Sequence, residues 1–577
     1  MSALKQPRKL SLEGKGTVTI HPSDYLTSGG EGELYRIGDT VVKLYTDKEK
    51  MRRDGMIAKI ALLRPLKHPS VVAPAGVVAL PTGEPVGFHM PYVSGEPLSR
   101  LFTNDFRQRE GFTHDMTKTL VERMREAVTF AHDKGAVLVD ANELNWLARV
   151  KGADAPMPYV IDVDSWAIGK FGASVIMPSI RDWHRATFDQ GSDWFAWAIV
   201  TFQLWSGIHP YKGKLDGYGP GDLLARMKAN KSVFTSGVRL NRAVRDFRVI
   251  PPHLAQWYEA TFESGLRERP PSAFASAVAL GGAKTVLYAV TTGAGTLVFE
   301  KLFDEPLRRV VGVWPSGVLR LKDDSLVELR TKRTISTNAP PRCEVVKVEG
   351  GWLIAHVENG TLAAEYIALA TLLPTKLTLP IAAQGLFRSG DRLFVVTLRG
   401  ITELTLRLFS KPVLAVGGTW AVATNSTAFF DGVGVSDVLG AKFLVLPFGE
   451  SACALVRAPE LDSVAVVNAK GFGRFVAATV LSKTGDYKLL TFTFDREHGA
   501  YTFAGRIVDS PELNMAILPK GVAASIENDG VLSLTVPTEG RVVEVRDKHI
   551  TTDMLLMRID DQVLAVTGGA LSSVRMR

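Results

Sequence analysis

Helical periodicity stops near Gly281, and from there to the C-terminus the chain is written in short β-rich runs broken by Gly, Asp, Asn and Pro. Before that point, strands alternate with amphipathic helices. One hydrophobic core cannot serve both patterns, so the chain divides into a mixed α+β part and an all-β part. The expected organisation is a flexible basic segment over 1–19, a first domain over 20–283 and an all-β domain over 284–577, with the linker-like Leu280–Lys284 at the boundary. At 577 residues, 46% hydrophobic and 22% charged, the chain is long enough for two or three ordinary cores. Its longest apolar stretch, Trp194 to Trp205, is too short for a membrane span. Two cysteines, Cys343 and Cys453, point to a reducing, cytoplasmic setting. The net charge of +8 is spread without a Lys/Arg tract, which argues for a solvated surface and against nucleic acid.

Chemistry concentrates in the first part. Asp140 stands five residues before Asn145, after a helix predicted over Thr113 to Ala131 with Met116, Leu120, Met124 and Val128 at four-residue spacing. Upstream, Leu26 to Tyr35 is glycine-rich (Gly29, Gly30, Gly32), and glycines let a backbone approach phosphate oxygens without a Cβ in the way. Lys43 follows inside the apolar run Thr40–Leu44. Downstream, Tyr159-Val160-Ile161 runs into Asp162, with Asp164 as the alternative carboxylate for a hard cation. A cradle, a lysine, a base and two metal ligands are the set that phosphoryl transfer needs.

Taken in order, these motifs resemble the eukaryotic-like (Hanks-type) Ser/Thr protein kinases, in their divergent bacterial and phage branch. His68-Pro69-Ser70-Val71-Val72 is similar to the segment after helix C, and Phe88 to Leu98 to the hinge. Ser192 to Ile199 is similar to the buried helix whose leading Asp braces the catalytic loop, and Arg267 to Ser272 to the closing Arg-Pro-Ser signature. The resemblance covers 20–280. It implies a bilobal fold with ATP and Mg²⁺ or Mn²⁺ between the lobes. Lys43 would hold the phosphates, Asp140 would be the base, and Asn145 and Asp162 the metal ligands. Met90 would be gatekeeper, with Pro91 and Val93 facing adenine.

Several positions depart from the family. Leu138-Val139 replaces His-Arg, removing the arginine that reads a loop phosphate, and Asn142 replaces the usual lysine. The helix-C glutamate falls near Lys59, leaving Glu49 as a weaker partner for Lys43. The acid that pairs with Arg269 is missing after Met177-Pro178-Ser179, with Asp182 as a substitute. A pseudokinase adaptor that binds nucleotide without transfer is therefore the alternative to an active Ser/Thr kinase.

The second half contains units at Val310 to Leu329, Val345 to Ile367, Gly385 to Leu406, Pro412 to Val433, Val464 to Asp495, Ala516 to Val536 and Met554 to Arg577. Their spacing of roughly forty residues resembles a β-propeller of about seven blades, with paired sandwiches or barrels as the competing fold. His356, His498 and His549 are scattered, and Trp314, Trp352 and Trp420 read as core. This half is expected to bind a protein substrate or scaffold.

Overall fold

The computed structural model describes residues 6–173, 176–219, 221–274, 297–305, 308–449, 451–518, 521–536 and 541–576. The boundary expected at Leu280–Lys284 lies outside the described residues.

The chain opens with a seven-stranded antiparallel sheet. Its strands are β1 (Arg8–Leu12), β2 (Gly16–Ile20), β3 (Tyr25–Ser28), β4 (Gly32–Ile37), β5 (Thr40–Tyr45), β6 (Gly76–Ala79) and β7 (Pro85–Pro91). They lie in the order β2-β1-β6-β7-β5-β4-β3. The segment expected to be a flexible lead-in is thus corrected over 8–20: Leu10, Leu12 and Ile20 alternate inward and are almost fully buried. Gly14 and Gly16, at φ +76° and +85°, make the turn between β1 and β2. β5 is buried at all six positions, although it carries Lys43. Two short helices, α1 (Lys48–Arg53) and α2 (Met56–Leu63), connect β5 to β6.

The helical part follows, with α3 (Leu98–Leu101), α4 (Asn104–Glu110), α5 (His114–Asp133), α6 (Gln190–Ser206), α7 (Leu223–Lys228) and α8 (Pro252–Glu263). The Thr113 side chain caps α5 by accepting from the Met116 N–H at 3.2 Å. α6 is apolar on every side and almost wholly buried, and Asp189 starts it through a reciprocal cap with Ser192. Aromatic rings of α6 and α8 interlock around Phe202, Tyr258 and Phe262.

The C-terminal part consists of many small sheets, with no α-helix among the described residues. Six four-stranded antiparallel sheets occupy 310–336, 344–377, 385–420, 427–457, 465–508 and 515–546 in succession. A seventh combines Leu555–Ile559, Gln562–Thr567 and Ala570–Met576 with Leu297–Phe303, so the first strand of this part pairs with the last. The unit expected at Pro412 to Val433 is split: Pro412–Trp420 ends one sheet and Thr427–Phe429 begins the next. Trp352 is buried in this part's core, while Trp314 and Trp420 are half-buried against it. His498 lies between the rings of Phe448 and Phe494 and hydrogen-bonds the Gly473 carbonyl at 3.0 Å. Both cysteines are free.

The two parts touch along a long polar seam. Glu512 accepts from the Asn104 N–H at 2.7 Å at the start of α4, Asn241 donates to the Glu527 carbonyl, and Arg342 pairs with Glu110 at 2.9 Å.

Candidate active site

Lys43 is the one charged side chain in a fully buried strand, and it is answered by two carboxylates. Its Nζ lies 2.8 Å from Asp162 Oδ1 and 2.7 Å from Asp164 Oδ2. Asp164 is 1% exposed and also accepts from the Tyr45 hydroxyl at 2.7 Å. Asp162 keeps a side chain 40% exposed and sits at φ +58°, a left-handed bend that turns it away from the strand leading into it. Burial opposes the Lys43 charge, but Asp164 and Asp162 outweigh it and hold the ammonium above the ordinary lysine range. Asp164 therefore occupies the role expected of a helix carboxylate. α2 supplies none: Lys59 is buried and turned to the Gly172 carbonyl at 3.2 Å. Glu49 is excluded as a partner, because it is exposed on α1 and pairs with Arg52 at 2.5 Å.

Asp140 and Asn145 are tied into one loop. The Asn145 amide donates to the Asp140 carbonyl at 2.7 Å, which leaves the Asn145 Oδ1 without a hydrogen bond among the described residues. The Ile161 N–H donates to the Asn145 carbonyl at 2.9 Å, bringing the residue before Asp162 alongside. Asp140 Oδ1 accepts from the Met177 N–H at 2.9 Å and the Asn142 amide at 3.0 Å. Burial, opposed by those two donors and joined by the charge on Asp162, raises the Asp140 carboxyl above its ordinary value. Beneath the loop, Asp193 on α6 accepts from the Leu138 N–H at 2.7 Å and the Val139 N–H at 2.8 Å, and lies 2.8 Å from His132. Val139 is held at φ +64°, a costly backbone for a β-branched residue.

Asn145 Oδ1 and the Asp162 carboxylate are each oxygen donors of the kind that a hard cation such as Mg²⁺ or Mn²⁺ takes, and Mg²⁺ keeps several waters when few protein ligands are offered. Among the described residues there is no group of three or more His, Cys, Asp or Glu side chains that could hold a metal. The turn between β3 and β4 closes through the Gly29 N–H on the Gly32 carbonyl at 2.8 Å. Gly29 and Gly30 are exposed and face open space. Only Gly32 is sterically required, since a Cβ there would lie 2.6 Å from the Leu44 carbonyl oxygen. Met90 is buried at the end of β7, Pro91 is exposed, and Val93 packs partly buried with Leu26, Leu147 and Ile161. Met90, Val93 and these neighbours belong to one apolar cluster that also holds Phe88 and Tyr159.

Asp182 is a partner for a closing arginine, but the arginine is Arg267 and not Arg269. Its guanidinium holds both carboxylate oxygens, at 2.5 and 3.1 Å, while Arg269 is exposed. Sequence reasoning also passed over Glu143, which is 2% exposed and accepts from the Tyr487 hydroxyl of the C-terminal part at 3.3 Å. Only its place between Asn142 and Leu144, inside the Asp140–Asn145 segment, pointed to it.

No family model and no curated protein matches this chain. Among solved structures, the autoinhibited serine kinase domain of the giant muscle protein titin is similar at 16% identity and a TM-score of 0.32, over 43% of this chain and 75% of that one. No helix is long and apolar enough to cross a membrane among the described residues.

Proposed function

We propose that this chain is an ATP-dependent Ser/Thr protein kinase whose C-terminal sheets form a seven-bladed β-propeller. The observation that carries the reading is one connected polar group: Asn145 fixed on Asp140, Asp162 joined to Asn145 through Ile161, and Lys43 paired with Asp162. ATP would lie with its adenine against Leu26, Met90, Val93 and Leu147, and its phosphates under the turn at Gly29–Gly32. Lys43 would exchange part of its carboxylate pairing for phosphate oxygens. Asn145 and Asp162 would hold the divalent cation, which supplies neutralisation of the charge on the β- and γ-phosphates. Asp140 would accept the proton of the Ser or Thr hydroxyl as it attacks phosphorus. The closing pair of Leu297–Phe303 with Ala570–Met576 supports the propeller reading, because it leaves the ring without a loose end. Free cysteines favour a cytoplasmic setting.

The second reading is a pseudokinase adaptor. It is favoured by Lys59 in place of the helix acid and by Met177 already occupying one oxygen of Asp140. Incubation of the full chain with labelled ATP, Mg²⁺ or Mn²⁺ and a generic protein substrate separates the two. Label on protein is expected. Thermal stabilisation by ATP with no transfer would establish the adaptor instead.

A further inference from the structure

We propose that the C-terminal part occupies the face through which a protein acceptor must reach Asp140, so that the folded chain keeps its own acceptor site shut. This rests on the kinase reading above. The Met177 N–H bonds the Asp140 carboxylate at 2.9 Å, so the backbone on either side of Met177 runs along the base. A Ser or Thr side chain entering from solvent would have to lie against this backbone and against Glu143–Leu144. The C-terminal part packs on both surfaces, with Leu144 and Met177 left partly buried. Val467, Leu481 and Tyr487 form a buried cluster that packs on Leu144 and Met177. The Tyr487 hydroxyl meets Glu143 at 3.3 Å, with both residues almost fully buried. Lys212, 3% exposed, donates to the Val508 carbonyl at 3.2 Å and lies 5.4 Å from the Tyr487 ring centre.

The tightest point is a turn. Gly485, at φ +87°, meets Ser179 so closely that an added Cβ would lie 2.0 Å from Ser179 Oγ. The same part of the chain reaches the other side of the cleft. The Tyr25 hydroxyl, on the strand leading into the glycine turn, donates to Asp437 at 3.3 Å, and a Cβ on Gly440 would lie 3.4 Å from Ser28 Oγ. One body of small sheets thus touches the glycine-turn hairpin on one side and the Met177–Ser179 segment on the other. An acceptor peptide and this body cannot share that space.

The seam is built to separate as well as to fit. Glu143 leaves Oε2 with no hydrogen-bond partner among the described residues, an uncompensated cost in the closed form. The phosphoryl-transfer rate on an external protein should then scale with the fraction of molecules in which the seam is open.

Gly485→Asn tests this in the full chain. Asn tolerates a left-handed turn, so the hairpin persists while its Cβ collides with Ser179. Tyr487→Phe is the milder companion, removing only the hydroxyl that meets Glu143. Two measurements accompany each variant: amide hydrogen exchange over 142–145 and 176–180, and the rate of phosphate transfer from ATP to a generic Ser/Thr peptide. Faster exchange and peptide transfer raised about ten-fold or more in Gly485→Asn, with a smaller rise in Tyr487→Phe, is the expected result. Faster exchange with an unchanged peptide rate would overturn the occlusion and leave the kinase reading standing. Unchanged exchange in both variants would mean the seam is not closed in solution, which also overturns it. If the seam opens and no transfer to peptide or to the chain itself occurs, the kinase reading falls and the occlusion falls with it.

Discussion

Asp164 lies 2.7 Å from Lys43 and takes a second bond from Tyr45, so a carboxylate two residues beyond the candidate metal ligand anchors the lysine. Anchor and ligand share one short turn. Lys43 is thus tied to the turn that carries Asp162 and Asp164, whereas a carboxylate on a helix would tie it to a separate element. Nothing in α2 could take over, because Lys59 points to Gly172.

Asp140→Asn is expected to abolish phosphate transfer while leaving ATP affinity within a few-fold of the parent. Losing a base commonly costs several orders of magnitude in rate, on the order of 4 kcal/mol or more. Single-turnover transfer beside ATP titration checks it. Residual transfer near the parent rate would remove Asp140 from the reaction.

The two aspartates beside Lys43 should separate by what they damage. Asp164→Asn removes a buried partner from a buried ammonium and should lower unfolding free energy by about 3–5 kcal/mol. Asp162→Asn, at a partly exposed site, should cost about 1 kcal/mol or less yet lose metal-dependent ATP binding. Denaturant unfolding and ATP titration with and without Mg²⁺ read both effects. The reverse pattern would exchange the two roles.

Asp193→Asn should weaken the catalytic loop from below. An amide cannot accept from the Leu138 and Val139 N–H groups and face His132 as the carboxylate does. Those bonds also hold Val139 in a conformation that costs about 1–3 kcal/mol. A loss of about 2–4 kcal/mol in stability is expected, with transfer reduced more than ATP binding. Equal stability of variant and parent would show that the loop does not depend on α6.

Glu143 should give the chain a pH signature. Burial pushes its carboxyl up to about 7, opposed by hydrogen bonds from its own backbone and Tyr487 and joined by the charge on Asp140. Lys212, on the same side of the seam as Glu143, lowers it. The folded form therefore holds a proton that the unfolded chain releases near its ordinary value of 4.5. Its contribution to stability is complete below that value and is lost as pH rises through about 7, on the order of 3 kcal/mol in all. Glu143→Gln should flatten the stability profile across that window. A parent profile already flat there would contradict the buried neutral acid.

The parts of the site carried by local sequence were legible. Asp140 and Asn145 meet within one tight loop, and a lysine inside Thr40–Tyr45 stands out against its apolar neighbours. Relations fixed by tertiary approach were not. Nothing in Asp162-Val163-Asp164 tells which carboxylate turns inward, and the Asp182–Arg267 pair spans 85 residues. The β1–β2 hairpin was readable from Leu10, Leu12, Val18 and Ile20, but its basic, polar composition masked the alternation. In the C-terminal part, Gly417 and Gly418 lie inside Pro412–Trp420, where the strand bends past a bulge opposite Thr402–Leu404.

The pairing of Leu297–Phe303 with Ala570–Met576 also sets a timetable. The seventh sheet cannot be completed until the final strand has left the ribosome, roughly 300 residues after α8. At synthesis rates of about 5–20 residues per second, that interval is about 15–60 s. Until residues 467–508 have emerged, Asp140 and its loop would lack the cover that those residues provide in the proposed closed form. A newly made molecule and a finished one would then meet different partners.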